Sequence, residues 1–295
     1  MSVATLTVFS VLAVPAFPAL AWLLLVIGGR RLAALAPWMT TMAAGISALA
    51  AWSVFFLRPW EAVTTGVWNL PWDWGIFLSS GGEGILALRV TFGLDATSGA
   101  LLPMVATVAF LVHLFSIRYM RGDSRPGPYF AGLALFTASM AGLLLAQNLL
   151  LFFIFWELMG FCSWLLIGHD ALHPIAPRPE ASRAARKAFL TTRVGDLALL
   201  LGMVVLWHGL GTLSFEQMGP AAIAGMDSSW LLVGGGLLLI GAMGKSAQFP
   251  LHVWLPDAME GPTPVSAMIH AATMVAAGVL LLVRVAAFLP VEILL

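Results

Sequence analysis

Eight times along its 295 residues the chain runs for about 20 residues almost without charge. At roughly 1.5 Å per helical residue each run matches the approximately 30 Å hydrocarbon core of a bilayer. The runs lie near residues 6–27, 35–57, 98–117, 129–146, 149–167, 188–207, 230–259 and 264–289. A backbone in lipid must satisfy its own hydrogen bonds, and only helices and closed barrels do so. Composition agrees: 60% of the residues are hydrophobic and 9% charged, against roughly 45–50% and about 25% in soluble domains. The expected fold is an all-α polytopic membrane protein of about eight transmembrane helices. The first run is expected to be a retained span, being too long for a signal peptide's apolar core and lacking a basic leader.

The loops divide unevenly in charge. Those after odd-numbered spans carry Arg30, Arg31, Arg118, Arg121, Arg125, Arg178, Arg183, Arg186 and Lys187, and those after even-numbered spans only Arg58 and Arg89. The loop after span seven has no basic residue and does not reverse that count. The positive-inside rule therefore predicts an N-terminus outside the cytoplasm. Between spans two and three, Trp68, Trp72 and Trp74, a Gly81-Gly82-Glu83-Gly84 turn and alternating apolar residues from Leu86 to Phe92 predict a small external β-hairpin with interfacial tryptophans. Between spans five and six, Pro174, Pro177 and Pro179 predict a plain cytoplasmic connector over 168–186.

Several functions are excluded. Fourteen basic residues balance fourteen acidic ones, so no net charge or basic run exists to hold nucleic acid. One cysteine, Cys162, permits neither an internal disulfide nor a multi-cysteine metal site. Gly244-Lys245-Ser246 resembles the end of a phosphate-binding loop, but Leu239 stands where that loop needs glycine, so no nucleotide binding is implied. Dinucleotide, haem and iron–sulfur signatures are absent from the sequence.

Function must then come from charges placed where charge is expensive, at roughly 2.5–3.5 kcal/mol each at bilayer depth. Glu157 sits in the middle of span five and is too deep to reach water along its own helix; it is read as functional, with a hydrogen-bonded structural role as the alternative. Gly160, one turn on, invites the close approach of another helix. Lys245 lies deep in span seven, followed by Pro250 and Pro256. Each proline lacks an N–H and frees a carbonyl four residues back, so the seventh span is predicted to be broken, as at the ion sites of transporters. The competing reading ends the span at Pro250, with Lys245 stretched to the headgroups. His270 follows a Thr263-Pro264 helix start and shares a polar stripe with Ser266 and Thr273; it is equally a proton relay or a helix-to-helix hydrogen bond. Arg193 and Asp196 are read as an i, i+3 pair, Arg193 as structural and Asp196 as open to either role. His113 is expected at the headgroups, and His169, His173 and His208 in loops or at the interface. One lysine at a helix break and one glutamate on another helix form a pair in which modest motion of the acid lets the amine take or release a proton.

At these same residues the sequence resembles a known family. NLLLFFIFWELMGFCSWLLIGH at 148–169, KAFLTTRVGDLALLLG at 187–202 and GKSAQFPLHVWLPDAMEGPTPVSAMIHAATM at 244–274 are similar to the antiporter-like subunits of bacterial complex I, and LVHLFSIRYMRGD at 111–123 favours their L type, the counterpart of mitochondrial subunit 5. The resemblance covers essentially the whole chain. It implies a broken seventh helix whose proton-carrying lysine matches Lys245, a partner glutamate matching Glu157, a histidine matching His270 and an aspartate matching Asp196. It implies no redox cofactor in this chain, since NADH, flavin (FMN), iron–sulfur clusters and quinone belong to partner subunits, and it implies other complex I membrane subunits as partners within a lipid bilayer. It further implies two parts: residues 1–128 with spans one to three and the hairpin, and residues 129–295 forming the first antiporter-like repeat. The family continues through a second repeat and a lateral helix, so the chain corresponds to about half a subunit. The same motifs occur in multisubunit sodium/proton antiporters and in inorganic-carbon uptake subunits. A further reading is a structural half-subunit that moves no protons. Twelve arginines against two lysines suggest a bacterial plasma membrane.

Overall fold

The computed structural model describes residues 3–59, 68–69, 74–79, 85–219, 223, 225–271 and 273–286. Among these described residues eight helical segments are long and apolar enough to cross a membrane, and the protein is a multi-pass membrane protein as expected. The first six are α1 (Val3–Gly28), α2 (Ala36–Leu57), α3 (Ala96–Tyr119), α4 (Pro126–Leu145), α5 (Leu149–Ile167) and α6 (Pro179–Leu210). The seventh is α7 (Ser228–Lys245), and the eighth is divided into α8 (Thr263–Ala271) and α9 (Met274–Ala286). At its centre lies α4, apolar all round and buried along nearly its whole length against α1, α2, α3 and α5.

Helix starts follow side-chain caps. Asp95 accepts from the Ser98 N–H at 2.7 Å to open α3, and Asn148 accepts from the Leu151 N–H at 2.7 Å to open α5. Between α2 and α3 the predicted hairpin forms. Strands β2 (Trp74–Ser79) and β3 (Ile85–Val90) pair antiparallel from Trp74 opposite Val90 to Ser79 opposite Ile85, closed at the base by β1 (Trp68–Asn69) against β4 (Gly93–Leu94). Trp72, residues 80–84 and the side chains of Trp68 and Trp74 lie outside what is described. The hairpin base is stitched to the turn between α4 and α5 through Gln147 N to Thr91 O at 3.1 Å, and that turn to the segment after α6 through Phe215 N to Gln147 O at 3.1 Å.

Four expectations are corrected. The connector after α5 is shorter than 168–186, because Pro179 occupies a favoured first-turn position and starts α6; Arg183, Arg186 and Lys187 are therefore on a 32-residue helix. The seventh helix ends at Lys245 and does not continue to 259: Pro250 and Pro256 cannot donate, and residues 246–256 form turns with Ala247 at φ 50° and a cis Phe249–Pro250 bond. The eighth span is interrupted without proline or glycine. The Thr273 hydroxyl donates to the Met268 carbonyl at 2.6 Å, five residues back, and its own carbonyl accepts from Ala277 N–H at 2.8 Å to begin a new helix. His113 is not at the headgroups but fully buried inside α3, with Nδ1 2.8 Å from the Ala109 carbonyl.

A buried arginine ties one end of the bundle together. Arg284 of α9 donates to Ser98 Oγ at 2.9 Å and to the Leu144 carbonyl at 2.8 Å, lies 3.6 Å from the Asp95 carboxylate, and stacks 4.9 Å from the centre of the Phe215 ring. It thus joins α3, α4, α9 and the segment after α6. Replacing it by alanine strands a partly buried carboxylate and leaves a void, so Arg284→Ala is expected to cost about 2 kcal/mol of stability. Thermal unfolding of the purified chain in detergent checks this, and an unchanged melting temperature would contradict the tie.

Candidate functional site

The polar centre of the bundle is built by α5, α6 and α7. Helices α6 and α7 meet backbone to backbone: a Cβ on Gly195 would stand 3.0 Å from Gly244 Cα, and one on Gly202 would stand 3.0 Å from the Gly234 carbonyl. Small residues allow such an approach in lipid, and here it sets Asp196 of α6 against the end of α7. Lys245, the last residue of α7, is fully buried, and its Nζ lies 3.4 Å from Asp196 Oδ2. It also sits 5.6 Å from the centre of the Trp156 ring, an attraction of cation to π-face. Trp156 serves twice, since its indole N–H donates to Asp196 Oδ1 at 2.6 Å.

Glu157 makes a different pair. It accepts from Arg193 of α6, whose guanidinium also stacks 4.6 Å from the centre of the Phe189 ring. Glu157 Oε1 is buried without a hydrogen-bond partner among the described residues. Asp196 and Lys245 nevertheless act electrostatically on Glu157, so four charged groups form two adjoining pairs, Lys245 with Asp196 and Glu157 with Arg193. The expected pairing of Lys245 with Glu157 and of Arg193 with Asp196 is not the one observed. The i, i+3 spacing in α6 does place Arg193 and Asp196 as neighbours, but each turns to a group on another helix, where the charge is better compensated. What Gly160 admits is a side chain: a Cβ there would lie 2.5 Å from Lys245 Nζ.

His270 of α8 is half-buried, and its Nε2 has no hydrogen-bond partner among the described residues. Its ring stacks on Trp254 at 6.5 Å between centroids and 24°, and the Trp254 indole donates to the Gly244 carbonyl at 3.0 Å. Trp254 thus caps the end of α7 and links it to the His270 ring. Neither Trp156 nor Trp254 stood out in the sequence. The available signal was that a buried tryptophan needs a partner for its N–H, and Trp156 adjoins Glu157.

The amine is therefore inside the bundle at a helix break, and the reading in which it stretches to the headgroups is ruled out. Such a site holds a buried cation–carboxylate pair beside a second, partly exposed one.

Comparison with known proteins fits this geometry. Residues 146–294 match the family described as NADH:quinone oxidoreductase/Mrp antiporter, transmembrane, and residues 82–130 match the N-terminus of chain 5 of NADH-ubiquinone oxidoreductase (complex I). The chloroplast NAD(P)H-quinone oxidoreductase subunit 5 of Marchantia polymorpha is 40% identical over 284 residues, which cover 92% of this chain and 39% of that protein. Chain 5 of the Picosynechococcus sp. enzyme is 48% identical over 204 residues, 67% of this chain and 30% of its own length. In the solved Mrp complex of Dietzia sp., a chain superposes with a TM-score of 0.69 at 30% identity, covering 97% of this chain and 28% of that one. The chain thus spans well under half the length of these relatives, and it belongs to the transmembrane family shared by NADH:quinone oxidoreductases and Mrp antiporters.

Proposed function

We propose that this chain translocates protons as part of the antiporter-like, subunit 5 type membrane subunit of an NADH:quinone oxidoreductase. The observation that carries the reading is the fully buried Lys245 ammonium at the end of a broken helix, held by Asp196 and flanked by the Glu157–Arg193 pair. At an effective dielectric of about 20, opening an opposite-charge pair from about 5 to about 10 Å lowers its attraction from roughly 3.3 to 1.7 kcal/mol. A change of that size alters proton affinity by more than tenfold, so small shifts of α6 against α7 suffice to load or unload the amine. In this scheme Lys245 carries the proton, Asp196 holds the amine, and Glu157 acts as the neighbouring carboxylate. His270 is the next acceptor, reached around the Trp254 ring through water or a rotamer change.

NADH, FMN, iron–sulfur clusters and quinone are assigned to partner subunits, the partners being other membrane subunits of the complex. The chain divides at about residue 128, a division supported by the two family matches, which end at 130 and begin at 146. The basic loops support an N-terminus on the outer face of a bacterial plasma membrane. A second reading, a cation/proton antiporter subunit, is favoured by the likeness to the Mrp complex. Transport assays with sodium and proton gradients separate the two: sodium-dependent exchange without quinone reduction supports the antiporter.

In the assembled complex, Lys245→Ala and Asp196→Asn are each expected to reduce proton translocation at least tenfold, read as quenching of a pH-sensitive dye in vesicles, with assembly checked on native gels. Normal pumping in both would reject the scheme and favour a structural half-subunit. Gly160→Ala should leave the fold intact, because the group it strikes is the free end of a flexible side chain, yet should lower pumping several-fold by displacing the ammonium from Asp196. For orientation, a periplasm-active alkaline phosphatase fused before residue 1 is expected to be active, and a cytoplasm-only reporter there to be silent; the reverse would invert the assignment.

A further inference from the structure

Away from the charged centre, a cavity of about 350 Å³ opens between the end of α1 and the start of α4. Its walls are apolar, formed by Leu25, Val26, Ala33, Pro128 and Ala131, and the one charged group at its edge is Arg30. The cavity continues onto an exposed apolar strip of α1, where Leu24 is 50%, Val26 56% and Ile27 75% exposed. In a multi-pass membrane protein such a strip faces acyl chains. Arg30 and its neighbour Arg31 are exposed and make no ion pair among the described residues. A third arginine, Arg125, is the N-cap of α4 and supplies no side-chain acceptor to the helix's first turn. The Asp123 carboxylate accepts from the Arg125 N–H at 2.6 Å and offsets the charge at that helix start, so the free positive charge beside the cavity is that of Arg30 and Arg31.

An apolar slot opening to lipid at one end and the exposed guanidinium groups of Arg30 and Arg31 at the other match one molecule of stated chemistry. We infer that this cavity is a binding site for an anionic phospholipid of the surrounding bilayer, with an acyl chain between α1 and α4 and the phosphate at Arg30 and Arg31. A zwitterionic lipid supplies the chain but not the net charge, and a soluble anion supplies the charge but not the chain. Basic pockets between transmembrane helices select anionic headgroups by this logic. The inference needs only the membrane location of the chain and stands apart from the proton-transfer scheme.

The test uses the full chain, purified in detergent and stripped of lipid, with native mass spectrometry during titration by dioleoyl-phosphatidylglycerol or dioleoyl-phosphatidylcholine. The first is expected to bind about tenfold more tightly. Arg30→Gln should abolish that preference, and Ala33→Phe, which fills the slot, should weaken both lipids. Arg118→Gln, in the last turn of α3 and outside the cavity, should change neither. Dihexanoyl-phosphatidylglycerol, with the same headgroup on short chains, should bind more weakly than the dioleoyl lipid, an arm that holds even where Ala33→Phe fails to fold. Equal binding of the two headgroups, equal loss from Arg30→Gln and Arg118→Gln, or indifference to chain length would overturn the site.

Discussion

A fully buried ammonium group sets the terms for the centre of this protein. Taking Lys245 out of water is tolerable only with close compensation, and compensation comes from two helices at once: the Asp196 carboxylate of α6 and the π-face of Trp156 of α5. The features around it follow from that demand. Glycines bring α6 and α7 into backbone contact so that a short acidic side chain can reach the end of α7. The helix stops at the lysine, and Trp254 takes up the Gly244 carbonyl there. Each of these groups would be costly alone in lipid, and together they satisfy one another.

The charges at this centre are divided into two neighbouring pairs. Glu157, held by Arg193, also lies within the field of Lys245 and of Asp196. The Glu157–Arg193 pair is the less enclosed, with side chains 22% and 34% exposed, whereas Lys245 and Asp196 stand at 0% and 3%. Solvent screening therefore weakens the first pair more than the second, which places the stronger electrostatic hold on the amine.

The long apolar runs made the spans legible, since hydrocarbon thickness leaves so few solutions. Glu157, Asp196, Lys245 and His270 were conspicuous for the same reason: charge or polarity in such runs is rare. Prolines announced the break after Lys245. What could not be read was which acid meets which base, because Arg193 and Asp196 are neighbours on one helix and only the packing of three helices decides where each points. The interruption at Thr273 was invisible because a hydroxyl bonding to a carbonyl five residues back leaves no compositional mark. The early start of α6 was hidden by a charged, proline-containing segment that looks like a loop but satisfies its helix beyond the apolar run. His113 was misplaced because distance from the end of a span says nothing about which face of α3 is covered.

The same helix that presents Asp196 also presents Lys187, whose Nζ lies 2.6 Å from Asp257 Oδ2 just beyond the turns that follow α7. Lys187 and Asp196 are nine residues apart, about 13 Å along α6. The non-helical stretch from 246 to 256 is thus moored at both ends to one rigid rod, like a handle on a bar. The inner mooring at Asp196 is buried and the outer one at Asp257 is exposed to solvent, so salt loosens the outer end of the handle before the inner one.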